Sequence, residues 1–384
     1  MKLVFVVAMA DSVHTARWLS QFADQHLLIL LFPSTPHRRV HPVINDLIQN
    51  NSNNLRVRIA PGMRYLALPL WLIDRSTPLR IRSRILRYLI DVQKPTILHG
   101  METQNAGYLI AEAIPQLRTV PKVYLSIWGS DLFWFQQFAN HRSKIRSILS
   151  KTDALSTECK RDIELAKAFG FKGKLLPTIP ASGGVDLDHV TRLGKFDLPS
   201  QRSKIMVKGY SGFVGRSLIA LEALEQMSDE LKSYEIHVYS ASLRTRWRAR
   251  RIQRRSDLHI VLHKKHALTH GEVITMLGES RLSISISLSD GFPGSLREAM
   301  ITGCFPIESK CSCGNEWATA GKSALFVDPD DVSEIMSAIR TALNDDVLVD
   351  NAAKTNYGLA NDGFSKASVS TGIKNYYFGD DDDN

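Results

Sequence analysis

The sequence has few cysteines and lacks any long hydrophobic run. Four cysteines in 384 residues are too few for a disulfide framework, so we expect a protein of the reducing cytosol. The longest apolar stretch, residues 65–73, includes Pro69 and is far shorter than the roughly 20 residues of a membrane-spanning helix. The near-average composition excludes collagen-like and disordered chains. The length suggests about two globular domains.

Acidic residues are scarce in the first part of the chain. Residues 1–150 hold 18 Lys and Arg against 8 Asp and Glu, whereas the remainder holds 30 and 31. A basic excess of this kind suggests a polyanionic partner: nucleic acid, an anionic membrane surface or a phosphorylated substrate. Composition alone does not choose among these three.

Short apolar runs alternate with helical patterns along the chain. Residues 1–10 predict a buried first strand rather than a signal peptide, because an amphipathic stretch at 12–22 follows directly. A segment at 178–203 that is rich in Pro, Gly and Ser breaks the alternation, which resumes at residue 204. Strands that alternate with helices predict an α/β fold with two Rossmann-like, doubly wound domains. Ligands of such sheets bind at the carboxyl ends of the strands, here expected to face a central cleft.

The pattern predicts these domain boundaries. The expected parts are a first Rossmann-like domain at 1–185, a linker at 186–203, a second Rossmann-like domain at 204–362, and a C-terminal helix and tail at 363–384 that can pack back on the first domain. The acidic end of the tail, residues 380–383, is expected to be solvated.

The segment with the most information is SLSDGFPGSLREAMITGCFPI at residues 287–307. A buried strand ends before Asp290 and Gly291, and a helix begins near Ser295. The free N–H groups at a helix start bind anions such as a diphosphate, and glycines let the backbone approach the ligand. Asp290 and Glu298 lie on either side of this loop, where carboxylates are suited to hold sugar hydroxyls.

The run D-G-F-P-G-S-L-R-E-A-M resembles the E-x7-E element of the retaining, GT-B-fold glycosyltransferases of family four (glycosyl transferases group 1). The resemblance implies that Asp290 contacts the transferred sugar and that Glu298 contacts the nucleotide ribose. It also implies that the loop between them, with its backbone amides, holds the donor diphosphate; its residues are Gly291, Phe292, Gly294, Ser295 and Leu296. Asp in place of the usual Glu at 290 keeps the charge and shortens the reach.

Two basic residues flank the loop after the predicted strand at 204–208. Family members place an Arg and a Lys here, whereas this chain has Lys208 and Arg216 in the reverse order and with longer spacing. We expect both to contact the diphosphate, where negative charge develops as the glycosidic bond breaks. The alternative is a surface lysine and an arginine at a helix start.

His99 and Asp131 follow two predicted strands of the first domain. We expect His99 to face the cleft, with a hydrogen-bonded core histidine as the alternative. Asp131 is expected either to act as the proton shuttle of the acceptor or to cap a helix. Many relatives carry a histidine where this chain has Trp128.

The resemblance implies transfer of a hexose from a nucleotide-diphosphate sugar to a glycan or lipid-linked acceptor, with retention and with neither metal nor cofactor. It also implies that the first domain is on the acceptor side and that the second binds the donor. The basic first domain and its predicted helix at 80–90 favour a cytoplasmic enzyme on the inner membrane face, in surface-polysaccharide or glycolipid biosynthesis. Nucleic acid is the least favoured partner. The alternatives are a nucleotide-sugar epimerase or hydrolase on the same fold, and a non-catalytic nucleotide-sugar binder.

Overall fold

The computed structural model of the protein describes residues 1–50, 54–180, 183–373 and 376–378. The chain divides into two compact units, Met1–Gly183 with Val369–Asn384, and Gly184–Ser368. The segment 186–203 falls in the second unit and contains a short helix whose Val190 packs in an apolar cluster of that unit. The acidic residues 380–383 lie outside the described residues.

The first unit contains a parallel sheet with the strand order β3-β2-β1-β4-β5-β6-β7. Its strands are β1 Lys2–Ala8, β2 Leu27–Pro33, β3 Leu55–Ile59, β4 Ile97–Met101, β5 Lys122–Ser126, β6 Ala154–Ser156 and β7 Lys174–Leu175. The central strands are apolar almost throughout because helices cover both faces of the sheet. The strand order reverses between β1 and β4, which is the switch point where doubly wound sheets bind ligands.

The helices of the first unit follow the strands in alternation. They are α1 Val13–Ser20, α2 Pro42–Gln49, α3 Met63–Ser76, α4 Ile81–Gln93, α5 Tyr108–Ala113, α6 Ser130–Phe133, α7 Ala139–Leu149 and α8 Lys160–Ala168. A single π-helical turn, Thr103–Gly107, leads into α5. The apolar stretch at 65–73 lies within α3, which retains Pro69 in its interior.

The second unit contains another parallel sheet, with the order β10-β9-β8-β11-β12-β13 and a switch point between β8 and β11. Its strands are β8 Lys204–Lys208, β9 Glu235–Ala241, β10 His259–Lys264, β11 Ser280–Ser285, β12 Phe305–Ser309 and β13 Leu325–Val327. Its helices are α9 Leu187–Arg192, α10 Ser217–Gln226, α11 Leu243–Gln253, α12 His270–Gly278, α13 Gly294–Thr302, α14 Val332–Asn344 and α15 Asp346–Gly363.

Helix α16, Lys366–Ile373, leads the chain back to the first unit. The residues of this segment that are buried in the apolar cluster around β1 and α1 are Val369, Ile373, Tyr376 and Tyr377.

The two parallel sheets with helices on both faces confirm the sequence expectation of an α/β fold with two Rossmann-like domains. Within the described part of the chain, none of the helices is both long and apolar enough to span a bilayer.

Candidate active site

The candidate site of the second unit is built on the ends of three neighbouring strands. Lys208 ends β8 and Ser285 ends β11. Ser285 pairs in register with Glu308 of β12. Because parallel strands end at one edge of the sheet, these three polar side chains lie at the switch point, where ligands of doubly wound sheets bind.

The loop after β11 connects this edge to helix α13. Asp290 lies in the loop, where its Oδ1 atom accepts a hydrogen bond from the Gly291 N–H at 2.9 Å. Helix α13 begins at Gly294, and the first amides of a helix have no acceptor within it. A Cβ atom on Gly294 would meet nothing nearer than the Arg297 Nη2 atom at 3.7 Å. The backbone at the start of α13 is therefore open to a ligand.

The side chains of Phe292 and Leu296 lie in the hydrophobic core. The Phe292 ring stacks on Trp317 at 4.4 Å between centroids and meets Phe364 edge-on at 4.9 Å. Leu296 is fully buried. The side chains of these two residues therefore anchor the loop in the core, which leaves their backbone amides for the predicted contact with a diphosphate.

Ser295 connects the start of α13 to the sheet. Its Oγ atom lies 2.9 Å from the Ser285 Oγ atom and 3.3 Å from a Glu308 carboxyl oxygen, and it accepts from the Lys208 Nζ atom at 3.5 Å. Burial raises the pKa of Glu308 to about 8, although the nearby Lys208 charge opposes the shift. Sequence reasoning missed Glu308, whose signal is an acid inside a buried strand.

The two other predicted binding residues have partners on the second unit. The Glu298 carboxylate lies 3.0 Å from the His270 Nε2 atom at the start of α12. Arg216 precedes α10, and its Nε atom donates to Asp330 at 2.8 Å.

Backbone hydrogen bonds place the Arg216 loop beside the loop after β11. The Arg216 N–H donates to the Ile286 carbonyl at 2.9 Å, and the Leu288 N–H donates to the Val214 carbonyl at 2.8 Å. Gly215 is needed in this turn, because a Cβ atom there would lie 2.1 Å from the Tyr210 carbonyl oxygen. The structure thus brings Lys208, Arg216 and the predicted phosphate loop to one edge of the sheet.

His99 is a core histidine, which corrects the expectation that it faces a ligand. The side chain is fully buried. Its Nδ1 atom lies 2.6 Å from the Tyr377 hydroxyl, and its Nε2 atom lies 2.8 Å from the Ser126 hydroxyl. Burial lowers the pKa of His99 to about 3. With both ring nitrogens engaged inside the core, His99 is not placed for catalysis.

Asp131 connects the loops that follow β4 and β5. Its Oδ2 atom accepts from both the N–H and the hydroxyl of Thr103 at 2.9 Å, and its Oδ1 atom accepts from the Trp128 N–H at 2.8 Å. Burial raises the pKa of Asp131 to about 6. Because both carboxylate oxygens already accept hydrogen bonds, the geometry favours the structural interpretation of Asp131 over the proton shuttle.

Glu102 precedes the π-helical turn and is, with Asp131, the second buried acid in the loops that follow β4 and β5. It has a φ of 75°, and its carboxylate accepts from the N–H groups of Gln104, Asn105 and Ala106. Burial raises the pKa of Glu102 to about 7, and the Asp131 charge adds to the shift. Such backbone strain and π-helical turns are concentrated at functional sites.

The Trp128 ring is half-buried beside the loop after β1. It contacts the His14 ring at 5.2 Å between centroids. Ser12, in the same loop, caps α1 by accepting from the His14 N–H at 3.1 Å. The Trp128 indole N–H is buried with no hydrogen-bond partner among the described residues.

Comparisons with known proteins give the family. The family model for glycosyl transferase 4-like domains matches residues 2–158, and the model for glycosyl transferases group 1 matches residues 213–345. A search of curated proteins by sequence gives no match.

Several solved structures have the same fold as this chain. HepE of Anabaena, in complex with UDP and glucose, is 14% identical with a TM-score of 0.67, and the match covers 98% of this chain and 99% of that one. The UDP-forming α,α-trehalose-phosphate synthase of Burkholderia vietnamiensis is 11% identical with a TM-score of 0.71, covering 99% of both chains. The lipopolysaccharide outer core galactosyltransferase WaaB is 11% identical with a TM-score of 0.68, covering 99% of this chain and 100% of that one. The chain therefore belongs to the GT-B glycosyltransferases of the GT4 type.

Proposed function

We propose that this protein transfers a hexose from a nucleotide-diphosphate sugar to a hydroxyl of a glycan or lipid-linked acceptor, with retention at the anomeric carbon. The observation that carries the proposal is the set of charged and polar groups at the carboxyl edge of the second unit's sheet. There the loop that contains Asp290 leads into α13, Lys208 contacts Ser295 in the first turn of that helix, and Glu298 lies one turn further along it. This combination of open amides, a cation and flanking acids suits a diphosphate with a sugar on each side.

Each predicted binding residue has a role in this proposal. The amides from Gly294 to Leu296 hold the diphosphate together with Lys208, and Arg216 adds positive charge when it exchanges Asp330 for the ligand. Gly291 keeps the backbone close to the ligand. Asp290 holds the transferred sugar, and Glu298, oriented by His270, holds the ribose. Charge that develops on the leaving diphosphate is stabilised most by groups fixed beforehand in these positions.

The proposed chemistry needs no protein nucleophile. As the glycosidic bond breaks, its electron pair stays with the diphosphate. The acceptor oxygen then bonds to the anomeric carbon on the face that the diphosphate leaves, and a diphosphate oxygen takes the proton of the acceptor hydroxyl. Proton NMR of the fresh product would show the anomeric configuration. Activity that survives complete chelation of divalent ions would support transfer without a metal, and activity that returns only with added metal would refute it.

Uracil is the proposed nucleobase, because solved structures of the same fold contain UDP. A thermal-shift panel of UDP, GDP, ADP and their sugars tests this, since a ligand that binds the native state raises the melting temperature. We expect the largest shift with UDP compounds. Conversion of the donor without acceptor would instead indicate an epimerase or hydrolase, and binding without any turnover would indicate a non-catalytic binder.

Helices α3 and α4 of the first unit support a membrane-bound acceptor. Their exposed surface combines large apolar side chains with basic ones, and we call it the α3–α4 surface; it is formed by Arg64, Tyr65, Leu72, Arg75, Arg80, Arg84 and Tyr88. Apolar side chains can enter the interfacial layer, and each basic residue near anionic lipid contributes about 1 kcal/mol. We therefore propose a peripheral enzyme of the inner membrane face in surface-polysaccharide or glycolipid biosynthesis.

Flotation with vesicles of phosphatidylcholine and phosphatidylglycerol tests this surface. We expect binding at low salt that weakens at high salt, and at least about tenfold weaker binding for the double variant Arg80→Glu/Arg84→Glu. The matched control, Arg250→Glu/Arg254→Glu, reverses two exposed charges at and just after the end of α11 and should bind like the wild type. Failure to bind at low salt would refute the membrane proposal without affecting the donor site.

A further inference from the structure

Glu308 is an acid buried beneath the proposed diphosphate site. Its side chain is 1% exposed, and it hydrogen-bonds to the Ser295 hydroxyl at 3.3 Å. Ser295 in turn accepts from the Lys208 Nζ atom. One hydroxyl therefore connects the buried acid both to the cation of the site and to the first turn of α13.

The surroundings of Glu308 favour its uncharged form. Burial is the largest cause that raises its pKa, to about 8, and the Asp290 charge adds to the shift. The Lys208 charge and the hydrogen bonds from Ser295 and Ser285 oppose it. A buried carboxylate is costly unless it is fully paired. Each element packed against Glu308 contributes a neighbouring group. These groups are Lys208 of β8, Tyr239 of β9, Ser285 of β11, Asp290 of the loop after β11, Ser295 of α13, and Phe326 of β13, which pairs with Glu308 in the sheet.

The charge state of Glu308 decides what Lys208 can do. As an uncharged acid, Glu308 still accepts the hydrogen bond from the Ser295 hydroxyl and leaves the positive charge of Lys208 for an anionic ligand. As a carboxylate, it would attract the Lys208 ammonium and repel a diphosphate a few ångströms away. A bound diphosphate would itself favour the uncharged form, because two neighbouring negative charges disfavour each other.

We infer that Glu308 is a positioning residue for the donor diphosphate: it holds the Ser295 hydroxyl, which also contacts Lys208, at the start of the helix proposed to bind that ligand. The inference rests on the proposed function, because it assigns the anionic ligand of this edge to the donor. It also predicts that affinity for a diphosphate falls as the pH rises through the range in which Glu308 ionises.

Calorimetric titration of the full-length protein with inorganic pyrophosphate and with UDP, at pH 6.5 and pH 8.8, tests the inference. For the wild type we expect the Kd to rise about tenfold more over this range than for Glu308→Gln, which keeps the shape and cannot ionise. Ionisation of the ligand is common to both proteins and cancels in the comparison. Glu279→Gln, an exposed acid paired with Lys204, is the control and should follow the wild type.

Two further variants cover a folding failure of Glu308→Gln. Ser295→Ala removes the hydroxyl between Glu308 and Lys208 and should weaken pyrophosphate binding about tenfold at pH 6.5. Glu308→Ala should also lose the pH dependence and bind more weakly than the wild type at pH 6.5. Circular dichroism establishes that each variant is folded before it is titrated.

The outcomes separate this inference from the proposed function. Equal pH dependence of binding in the wild type and in the folded Glu308 variants would overturn the role of Glu308 alone. A wild type that binds neither pyrophosphate nor UDP at pH 6.5 would overturn both. Binding with the expected pH dependence, but without sugar transfer to any acceptor, would support the inference and refute only the catalytic part of the proposed function.

Discussion

The Nδ1 atom of His99 lies 2.6 Å from the hydroxyl oxygen of Tyr377, which is 278 positions later in the chain. The same hydroxyl accepts from the Trp18 indole N–H at 3.3 Å. A hydroxyl has one hydrogen to donate and can accept two hydrogen bonds, so Tyr377 serves Trp18 and His99 at once, in a direction toward His99 that the histidine tautomer sets. The C-terminal segment thus satisfies two buried ring nitrogens in the core of the first unit.

Replacing Tyr377 by Phe should destabilise the first unit by about 1–3 kcal/mol, because the buried nitrogens of His99 and Trp18 lose their partner. Chemical denaturation monitored by tryptophan fluorescence measures this change. Tyr357→Phe, at an exposed tyrosine of α15, is the control and should have little effect. Equal stability of the two variants would contradict the role of this hydroxyl.

His99 should make the first unit sensitive to acid. Burial lowers its pKa from 6.5 to about 3, so the folded protein binds fewer protons than the unfolded chain between these values. The free energy of unfolding should therefore fall as the pH drops below about 6.5, with a loss of about 2 kcal/mol by pH 4.5. NMR titration of the histidine ring signals should show one ring that stays neutral throughout this range, and a His99 ring that charges near pH 6 would refute the prediction.

Glu102 should lower the free energy of unfolding as the pH rises, whereas His99 lowers it as the pH falls. Burial and the Asp131 charge raise its pKa from 4.5 to about 7, so the folded protein binds more protons than the unfolded chain between these values. This contribution is fully present below about pH 4.5 and is lost as the pH rises through about 7.

The variant Glu102→Gln isolates the contribution of Glu102. It should be less stable than the wild type at pH 5, because one of the three N–H groups then faces an amide nitrogen, and the difference should shrink by at least about 1 kcal/mol at pH 8. Urea denaturation at both pH values measures the two differences. A difference that does not change with pH would show that Glu102 is charged throughout.

Asp290→Ala and Glu298→Ala should each lower kcat/KM for the donor about 100-fold or more, because each removes a carboxylate proposed to hold the donor. His270→Ala should have a smaller effect, mainly on KM, because it removes only the partner of Glu298. Initial rates of nucleotide release measure all three, with Glu222→Ala on α10 as the control. Unaltered turnover in both carboxylate variants would refute the proposed site.

Elements beside the family motif could be predicted from the sequence to within a residue. Strand β8 is predicted at 204–208, as the structure has it, and the predicted helix start near Ser295 is one residue from the start of α13 at Gly294, because turn residues bound both patterns. The single π-helical turn and the helix α15 were not predicted. A five-residue turn is too short to show a period, and α15 is not clearly amphipathic.

The residues of the candidate site likewise fall into those that a local sequence pattern indicates and those that depend on tertiary contacts. The predicted phosphate loop, Lys208 and the acids Asp290 and Glu298 could be proposed as a site from the sequence, because they occupy a local strand–loop–helix motif or end a neighbouring predicted strand. Glu308 could not be found in this way. Its importance depends on the register of β11 against β12 and on the hydroxyl of Ser295, neither of which is encoded in a local pattern.

The sequence by itself determined the two Rossmann-like domains, the family motif and the concentration of basic residues in the first part of the chain. These properties follow from composition, periodicity and short-range spacing. Only the tertiary structure decided that His99 is a core residue, that Asp131 connects two loops and that Phe292 anchors a loop from within the core. Burial and hydrogen-bond partners decide these roles, and the partners that satisfy a buried polar group can come from any distance along the chain, as Tyr377 does for His99.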